Sequence, residues 1–527
     1  MPATIVFHPS SDLLRTFLGA LSLAVLLPLQ MTAETPSESA EASSSSGKTF
    51  LAEAPFDPPE VVETHHSIEI DGTSLSYTAR AGKLILKNET GEPTAGIFFV
   101  AYTRDDSDPE ERPVTFSFNG GPGSSSIWMH MGLLGPRRVL LDEDGFALPP
   151  PHQLVDNAWS LLDETDLVFI DPVSTGFSRP LDPEKEKAFH GLNEDVEAVG
   201  EFIRRYISEY TRWASPKFLI GESYGTTRAA ALSLHLQNRH GLYLNGIMLV
   251  SSVLDFATLR YSEDNDLPYV LFLPSLAATA HYHQRLPRPL QQLPLKELLE
   301  RAEAFATGPY REALFAGDSL SDETFNEVAG NLADFIGIPC EEIISRRLRL
   351  DAFTFFPTLL EDQNRTVGRF DGRYTGIAPL PWERGRTGSA YDPSYAQIYG
   401  AYSSAFNDYV RRELGYKSEL PYEVIASVRP WDYGKEFDAR YVNVSRRLRE
   451  AMVMNRFLKV HVCSGYYDLA TPYLATEYTL DRLFIEPEIR DNISISYYHA
   501  GHMMYTVEKE LARQREALAR FLREASP

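Results

Sequence analysis

The chain has 527 residues, 43% of them hydrophobic and 23% charged, with a formal net charge of −23. That length can bury a large core, and the apolar share is that of a globular protein rather than a disordered one. The acidic balance excludes nucleic acid and anionic membrane surfaces as main partners, because phosphates would be repelled and no basic tract offsets the charge.

Residues 1–33 read as a secretory signal peptide: Arg15 precedes an apolar run from Phe17 to Leu29, and small residues follow at Thr32-Ala33. The run is too short to span a bilayer comfortably, so no stable membrane insertion is expected once it is removed. Residues 34–56, rich in Ser, Glu and Ala up to Lys48, read as a flexible linker. The two cysteines, Cys340 and Cys463, are too few for a disulfide framework, and Cys463 sits in an apolar strand as a buried thiol. An exported protein with so little cysteine fits a bacterial periplasmic or secreted location.

From about residue 61 the pattern is β-like. His66–Ile70 and Ser74–Ala79 flank the hairpin signal Asp71-Gly72, and Ala95–Thr103 is a further strand. Val114–Phe118 then runs into Asn119-Gly120-Gly121-Pro122-Gly123-Ser124-Ser125-Ser126. Consecutive glycines at a strand end let backbone N–H groups point at a ligand, as an oxyanion hole requires, although a plain tight turn reads the same locally. A strand at Asp166–Ile170 closes with Asp171-Pro172-Val173-Ser174-Thr175-Gly176-Phe177-Ser178, and helical periodicity covers Leu192–Tyr206.

Phe218-Leu219-Ile220 then meets Gly221-Glu222-Ser223-Tyr224-Gly225, and the Ala/Leu-rich segment Ala229–Leu236 follows. The bare Gly-x-Ser-x-Gly pattern arises by chance. A buried strand before it and a helix after it make it a nucleophile elbow, which lifts Ser223 out of the sheet. Gly246–Ser251 is the next strand, and the alternation implies an α/β fold with a mostly parallel, twisted sheet. Residues 260–430 break the rhythm with helical pieces, such as Leu295–Ala306 and Ser404–Leu414, between Pro- and Gly-rich connections, and read as a largely helical cap. The sheet resumes with Phe457–Ser464, ending at Gly465-Tyr466-Tyr467-Asp468, and Ile493–Tyr498, ending at His499-Ala500-Gly501-His502, before the helix Val507–Arg523. The expected organisation is hydrolase core over 57–259 and 431–527 with the cap at 260–430 between them.

A serine needs an imidazole to take its proton and a carboxylate to orient that imidazole. Ser223, Asp468 and a histidine follow strand ends in the order of the α/β-hydrolases. His499 and His502 both follow the last strand, and Gly501 favours His502.

Taken together, Asn119-Gly-Gly-Pro-Gly-Ser-Ser, Asp171-Pro-Val-Ser-Thr-Gly-Phe-Ser, Gly221-Glu-Ser-Tyr-Gly, Gly465-Tyr-Tyr-Asp468 and Gly501-His502-Met resemble the serine carboxypeptidase family, here of bacterial type. The resemblance implies an α/β-hydrolase fold with an inserted cap, an acidic working range, no metal and no cofactor. It also implies peptide substrates with a free C-terminus, cut one residue at a time. By the same resemblance Ser223 is the nucleophile, His502 rather than His499 the base, and Asp468 the orienting carboxylate. Gly121 and Tyr224 supply oxyanion-hole N–H groups, and Asn119, Gly120 and Glu222 hold the terminal carboxylate. The chain departs from the family at Ser117, where a Trp is common, at Ser124, where a Cys is common, and at Leu133, where a second carboxylate is expected. The triad is untouched by these changes, but carboxylate recognition is not. An esterase, amidase or acyltransferase with the same triad is the alternative, and a catalytically silent binding protein the remote one.

Overall fold

The computed structural model describes residues 61–378, 391–437 and 441–526, so the expected signal peptide (1–33) and linker (34–56) lie outside the described residues. The Asp71-Gly72 turn, with both residues at positive φ (49° and 74°), joins β1 (Val62–Ile70) to β2 (Thr73–Lys87) in antiparallel register, Ile70 opposite Thr73. β3 (Pro93–Arg104) pairs with β2 and, on its other edge, antiparallel with β5 (Asp166–Ile170). From there the sheet is parallel. β4 (Val114–Phe118), β6 (Lys217–Glu222), β7 (Gly246–Val250), β8 (Lys459–Gly465) and β9 (Ile493–Tyr498) complete the spatial order β1-β2-β3-β5-β4-β6-β7-β8-β9. This order of crossovers is the α/β-hydrolase arrangement expected from the alternation of strands and helices.

The four central strands are buried along their whole length, which is why they read as continuous apolar runs. Their side chains alternate between two cores. Phe169, Ile220 and Met248 face one, with α6 (Pro393–Arg412) and α9 (Glu508–Ala525) packed on that side. Val168, Leu219 and Leu249 face the other, under α1 (Leu192–Glu209), α2 (Tyr224–His240) and α7 (Ser445–Met454). At the sheet's far edge α8 (Tyr473–Leu480) precedes β9.

The 260–430 segment divides between cores. α3 (Leu267–Tyr282), α4 (Leu295–Phe305) and α5 (Asp322–Ile336) build a separate apolar cluster with Phe355 and Leu360. A short antiparallel hairpin, Arg365–Val367 with Thr375–Ile377, follows, where no strand is expected from the sequence. α6 instead buries Ile398, Tyr402, Phe406 and Tyr409 against the main sheet. It begins eleven residues before the helical piece at Ser404–Leu414. Asp392 caps it through Ser394 N–H, Pro393 occupies its first position, and its apolar stripe runs through Gly400, whose low helix propensity hides the pattern.

One buried ion pair ties these elements to the turn after β4. Arg228, on α2, is fully buried, donates through Nε to Asp195 of α1 at 2.7 Å and through Nη1 to the Asn119 carbonyl at 2.7 Å. Truncating Arg228 to Met leaves Asp195 buried and uncompensated, a loss of about 3–5 kcal/mol. We expect Arg228→Met to lower the urea midpoint strongly and Arg228→Met/Asp195→Leu to recover much of it. Equal midpoints for the single variant and the parent would show that the pair does not hold this junction.

Candidate active site

Six parallel strands end on one side of the sheet, and each delivers a residue there: Asn119 after β4, Asp171 after β5, Ser223 after β6, Ser251 after β7, Asp468 after β8 and His502 after β9. Ser223 has φ 58° and ψ −128°, a strained backbone region for any side chain, and stands more exposed than the buried residues on either side of it. The turn closes so tightly that a Cβ on Gly221 would lie 2.2 Å from the Gly225 carbonyl oxygen. Only glycine fits there.

Asp468 is fully buried. Its Oδ1 accepts the N–H groups of Ala470 (2.8 Å) and Thr471 (2.9 Å), and its Oδ2 accepts from the Thr471 hydroxyl (2.7 Å) and pairs with His502 Nδ1 at 2.8 Å. Four donors aimed at one carboxylate fix its orientation, and with it the ring of His502. Burial alone would lower the His502 pKa. The charge and hydrogen bond of Asp468, with Glu222 behind, outweigh burial and hold the imidazole above its ordinary value, while Arg369 pulls the other way. His502 Nε2 is buried and has no protein partner among the described residues. Ser223 and this nitrogen form no hydrogen bond, a looseness common before substrate binds. His499 is exposed, its ring against Tyr466 at 5.4 Å and away from Asp468's hydrogen bonds.

The glycine loop after β4 lies on the elbow. A Cβ on Gly120 would come within 2.5 Å of the Tyr224 nitrogen, so the two backbones approach as closely as peptides can. Among the described residues the Gly121 N–H has no backbone acceptor, and the Tyr224 N–H belongs to the first turn of α2, where a helix leaves its donors unsatisfied. The Tyr224 N–H thus follows Ser223 at the N-terminus of α2, and the glycine loop that carries the Gly121 N–H packs against it through Gly120.

Beside them, Asn119 Nδ2 donates to Glu222 Oε1 at 3.1 Å, and the Tyr505 hydroxyl donates to Glu222 Oε2 at 2.5 Å. Met129 N–H holds the Asn119 carbonyl oxygen of its side chain at 3.2 Å. Burial pushes Glu222 up to about 7, against the opposing pull of His502 and of its own hydrogen bonds. Leu133 is buried in the apolar core, so the second partner of Glu222 is a phenol rather than a carboxyl group.

Several residues that complete this site carry no local signal in the sequence. The segment 369–372, from the cap region, braces both catalytic-side loops through its backbone. The Phe370 carbonyl accepts His502 N–H at 2.6 Å, the Arg369 carbonyl accepts Leu469 N–H at 3.1 Å, and Gly372 N–H donates to the Tyr467 carbonyl at 2.9 Å. Asp371 Oδ2 accepts Gly501 N–H at 2.8 Å and is clasped by Arg373, whose Nη1 also donates to the His499 carbonyl at 2.9 Å. From β7, the Ser251 hydroxyl donates to the His502 carbonyl at 2.6 Å. A strap at 423–431 runs along the glycine loop, with Ala426 N–H on the Gly123 carbonyl at 2.8 Å and Trp431 Nε1 on the Tyr224 hydroxyl at 3.0 Å. Only Tyr505 sits close in sequence to a recognised motif, three residues beyond His502.

Reaction with a fluorophosphonate reads this geometry directly, because it needs an activated serine. His502→Ala should abolish labelling of Ser223 and His499→Ala should leave it intact. Asp371→Ala, which frees the Gly501 loop, should slow labelling by roughly tenfold with an unchanged circular dichroism spectrum. Labelling of His502→Ala at the parent's rate, or of Asp371→Ala without any slowing, would contradict these roles.

Residues 79–274 match the family model described as serine carboxypeptidase. That span holds the glycine loop and Ser223 but neither Asp468 nor His502. Among curated proteins the chain is similar to serine carboxypeptidase-like 45 of Arabidopsis thaliana, 25% identical over 37% of this chain and 43% of that protein. It is also similar to serine carboxypeptidase-like 5 of the same plant, 30% identical over 25% of this chain and 30% of that protein. The chain thus spans less than half the length of these relatives. Among solved structures, a proline iminopeptidase from Mycobacterium smegmatis aligns over 85% of this chain and 98% of its own at 14% identity and a TM-score of 0.33. The resemblance read from the motifs therefore holds: over residues 79–274 the chain carries the serine carboxypeptidase family pattern, set in an α/β-hydrolase sheet.

Proposed function

We propose that the protein is a serine-type carboxypeptidase that removes single amino acids from the C-termini of peptides, exported by its leader to a periplasmic or secreted location. Ser223 Oγ attacks the carbonyl carbon of the last peptide bond while His502 Nε2 takes its proton. Asp468 holds the imidazole in the tautomer that leaves Nε2 open and stabilises the imidazolium that results. The Gly121 and Tyr224 N–H groups receive the oxyanion. As the C–N bond breaks, the proton passes from His502 to the departing amino group. Water then attacks the ester on Ser223 by the same route in reverse, and the proton returns to Ser223 as the acyl group leaves.

One observation carries this reading furthest: the buried Asn119–Glu222–Tyr505 cluster is centred on Glu222, the residue that precedes Ser223. A hydrolase of esters has no need of a buried, protonatable carboxyl group there. A protonated Glu222 can donate to a substrate carboxylate, whereas an ionised one repels it. The esterase, amidase or acyltransferase alternative has its support in Leu133, which brings no second carboxyl group to the cluster.

The pH consequence follows from two raised groups that face each other. His502 and Glu222 each favour the charged form of the other, so the pair titrates as a unit. Raising the pH through about 7 takes the Glu222 proton and with it the donor to the terminal carboxylate. Loss of the His502 proton, which is held above its ordinary range, frees the imidazole to act as base. An N-blocked dipeptide as free acid should therefore lose turnover as pH rises through about 7, chiefly in KM, while its C-terminal amide keeps rising with His502 deprotonation. Ser223→Ala should hydrolyse neither. Coincident pH profiles for acid and amide would remove the support for Glu222, and turnover of esters or amides alone would favour the alternative chemistry.

A further inference from the structure

Beside His502 stands a guanidinium with no carboxylate bonded to it among the described residues. Arg369 is only partly exposed, yet among the described residues its side chain makes no hydrogen bond and no ion pair. It lies over the Phe370 ring at 5.0 Å, and that ring is 5.1 Å from the ring of His502. Both carboxylates near enough to claim it are committed elsewhere. Asp392 caps α6, accepting Ser394 N–H at 3.0 Å and the Arg369 backbone N–H at 3.2 Å. Asp468 has its four donors already.

The setting makes this conspicuous. The chain is strongly acidic, and its fully buried arginines are matched, Arg228 to Asp195 and Arg112 and Arg212 to Asp166, as are Arg373 to Asp371 and Arg349 to Asp266. Beside Arg369 there is instead more positive charge. Arg260, exposed and placed over the Phe256 ring at 6.0 Å, opposes its charge. Desolvating a guanidinium without a partner is costly, so a position of this kind is one that a bound anion completes.

We infer that Arg369, held over Phe370 beside His502 and backed by Arg260, forms a subsite for an anionic side chain, so that the preferred peptides carry Asp or Glu next to the scissile bond. This rests on the carboxypeptidase reading for its substrate class. The guanidinium would make charge-assisted, two-pronged hydrogen bonds to the side-chain carboxylate, and Phe370 would pack against its methylenes. Consistent with this, burial lowers the Arg369 pKa from its ordinary value, and an arriving carboxylate would offset that cost.

The test compares isosteric pairs at about pH 6, where a Glu side chain is ionised. Full-length enzyme is given N-blocked Glu-Ala against Gln-Ala, and N-blocked Ala-Glu against Ala-Gln, all as free acids, so that the terminal carboxylate cancels within each pair. In one of the two pairs kcat/KM should favour Glu by about tenfold to a hundredfold, the range of a hydrogen-bonded charge pair. In Arg369→Gln that ratio should collapse to about one or invert, whatever the absolute rate, and Arg369→Lys should keep part of it. Protection of Ser223 from fluorophosphonate by N-blocked Glu against N-blocked Gln should show the same dependence on Arg369 without requiring turnover. A parent enzyme indifferent to Glu and Gln in turnover and protection, or an unchanged ratio in Arg369→Gln, would overturn the subsite. Absence of free-acid turnover with an Arg369-dependent protection difference would instead contradict the carboxypeptidase reading and leave the subsite standing.

Discussion

The site depends on how closely two backbones can approach at the carboxyl edge of the sheet. Gly120, after β4, lies against the peptide of Tyr224, and Gly221 lies under the Gly225 carbonyl, with no room for a Cβ at either position. That contact forces Ser223 into a positive-φ conformation and places the first N–H groups of α2 next to those of the glycine loop. Strain of this kind costs on the order of 1–3 kcal/mol and persists only where the surroundings over-determine it. Here the surroundings are the fully buried strands β4, β6 and β7 and the Arg228–Asp195 pair that holds the Asn119 carbonyl. The placement of Ser223, of the Tyr224 N–H and of the Asn119–Glu222 pair is thus a consequence of one packing constraint.

The base is held differently. His502 and Asp468 sit on loops after the last two strands, at the sheet's edge, where neighbouring strands offer less support. Their backbones are instead sutured to residues 369–372 by hydrogen bonds from Phe370, Arg369, Gly372 and Asp371. The insertion between β7 and β8 therefore helps to set the position of the His502 imidazole, and a disturbance there reaches His502 without touching Ser223. Arg369 belongs to the same stretch, its backbone bracing the Asp468 loop and its side chain lying over the Phe370 ring beside His502.

Much of the sheet was legible because buried parallel strands write themselves as short apolar runs that end in glycine or in a catalytic-type residue. The elbow, Asp468 and His502 were legible for the same reason, since each falls just past such a run. The insertion was not. Gly400 hides the start of α6, and the small hairpin at 365–377 is too short to show an alternating pattern. Residues 369–373 act largely through main-chain atoms, which any side chain can provide, so no spacing marks them. Tyr505 meets Glu222 only because the chain turns back after His502. Its hydroxyl, and not a carboxyl group at Leu133, is what Glu222 meets in the fold.

The most direct test of the central claim is an intact-mass time course with a blocked peptide of several residues under single-turnover conditions. An acyl-enzyme route predicts a transient mass gain on Ser223 equal to the peptide shortened by its last residue, less one water, appearing in step with one equivalent of free amino acid and absent in Ser223→Ala. An adduct that retains the final residue, products cut inside the chain, or unchanged turnover in Ser223→Ala would contradict it.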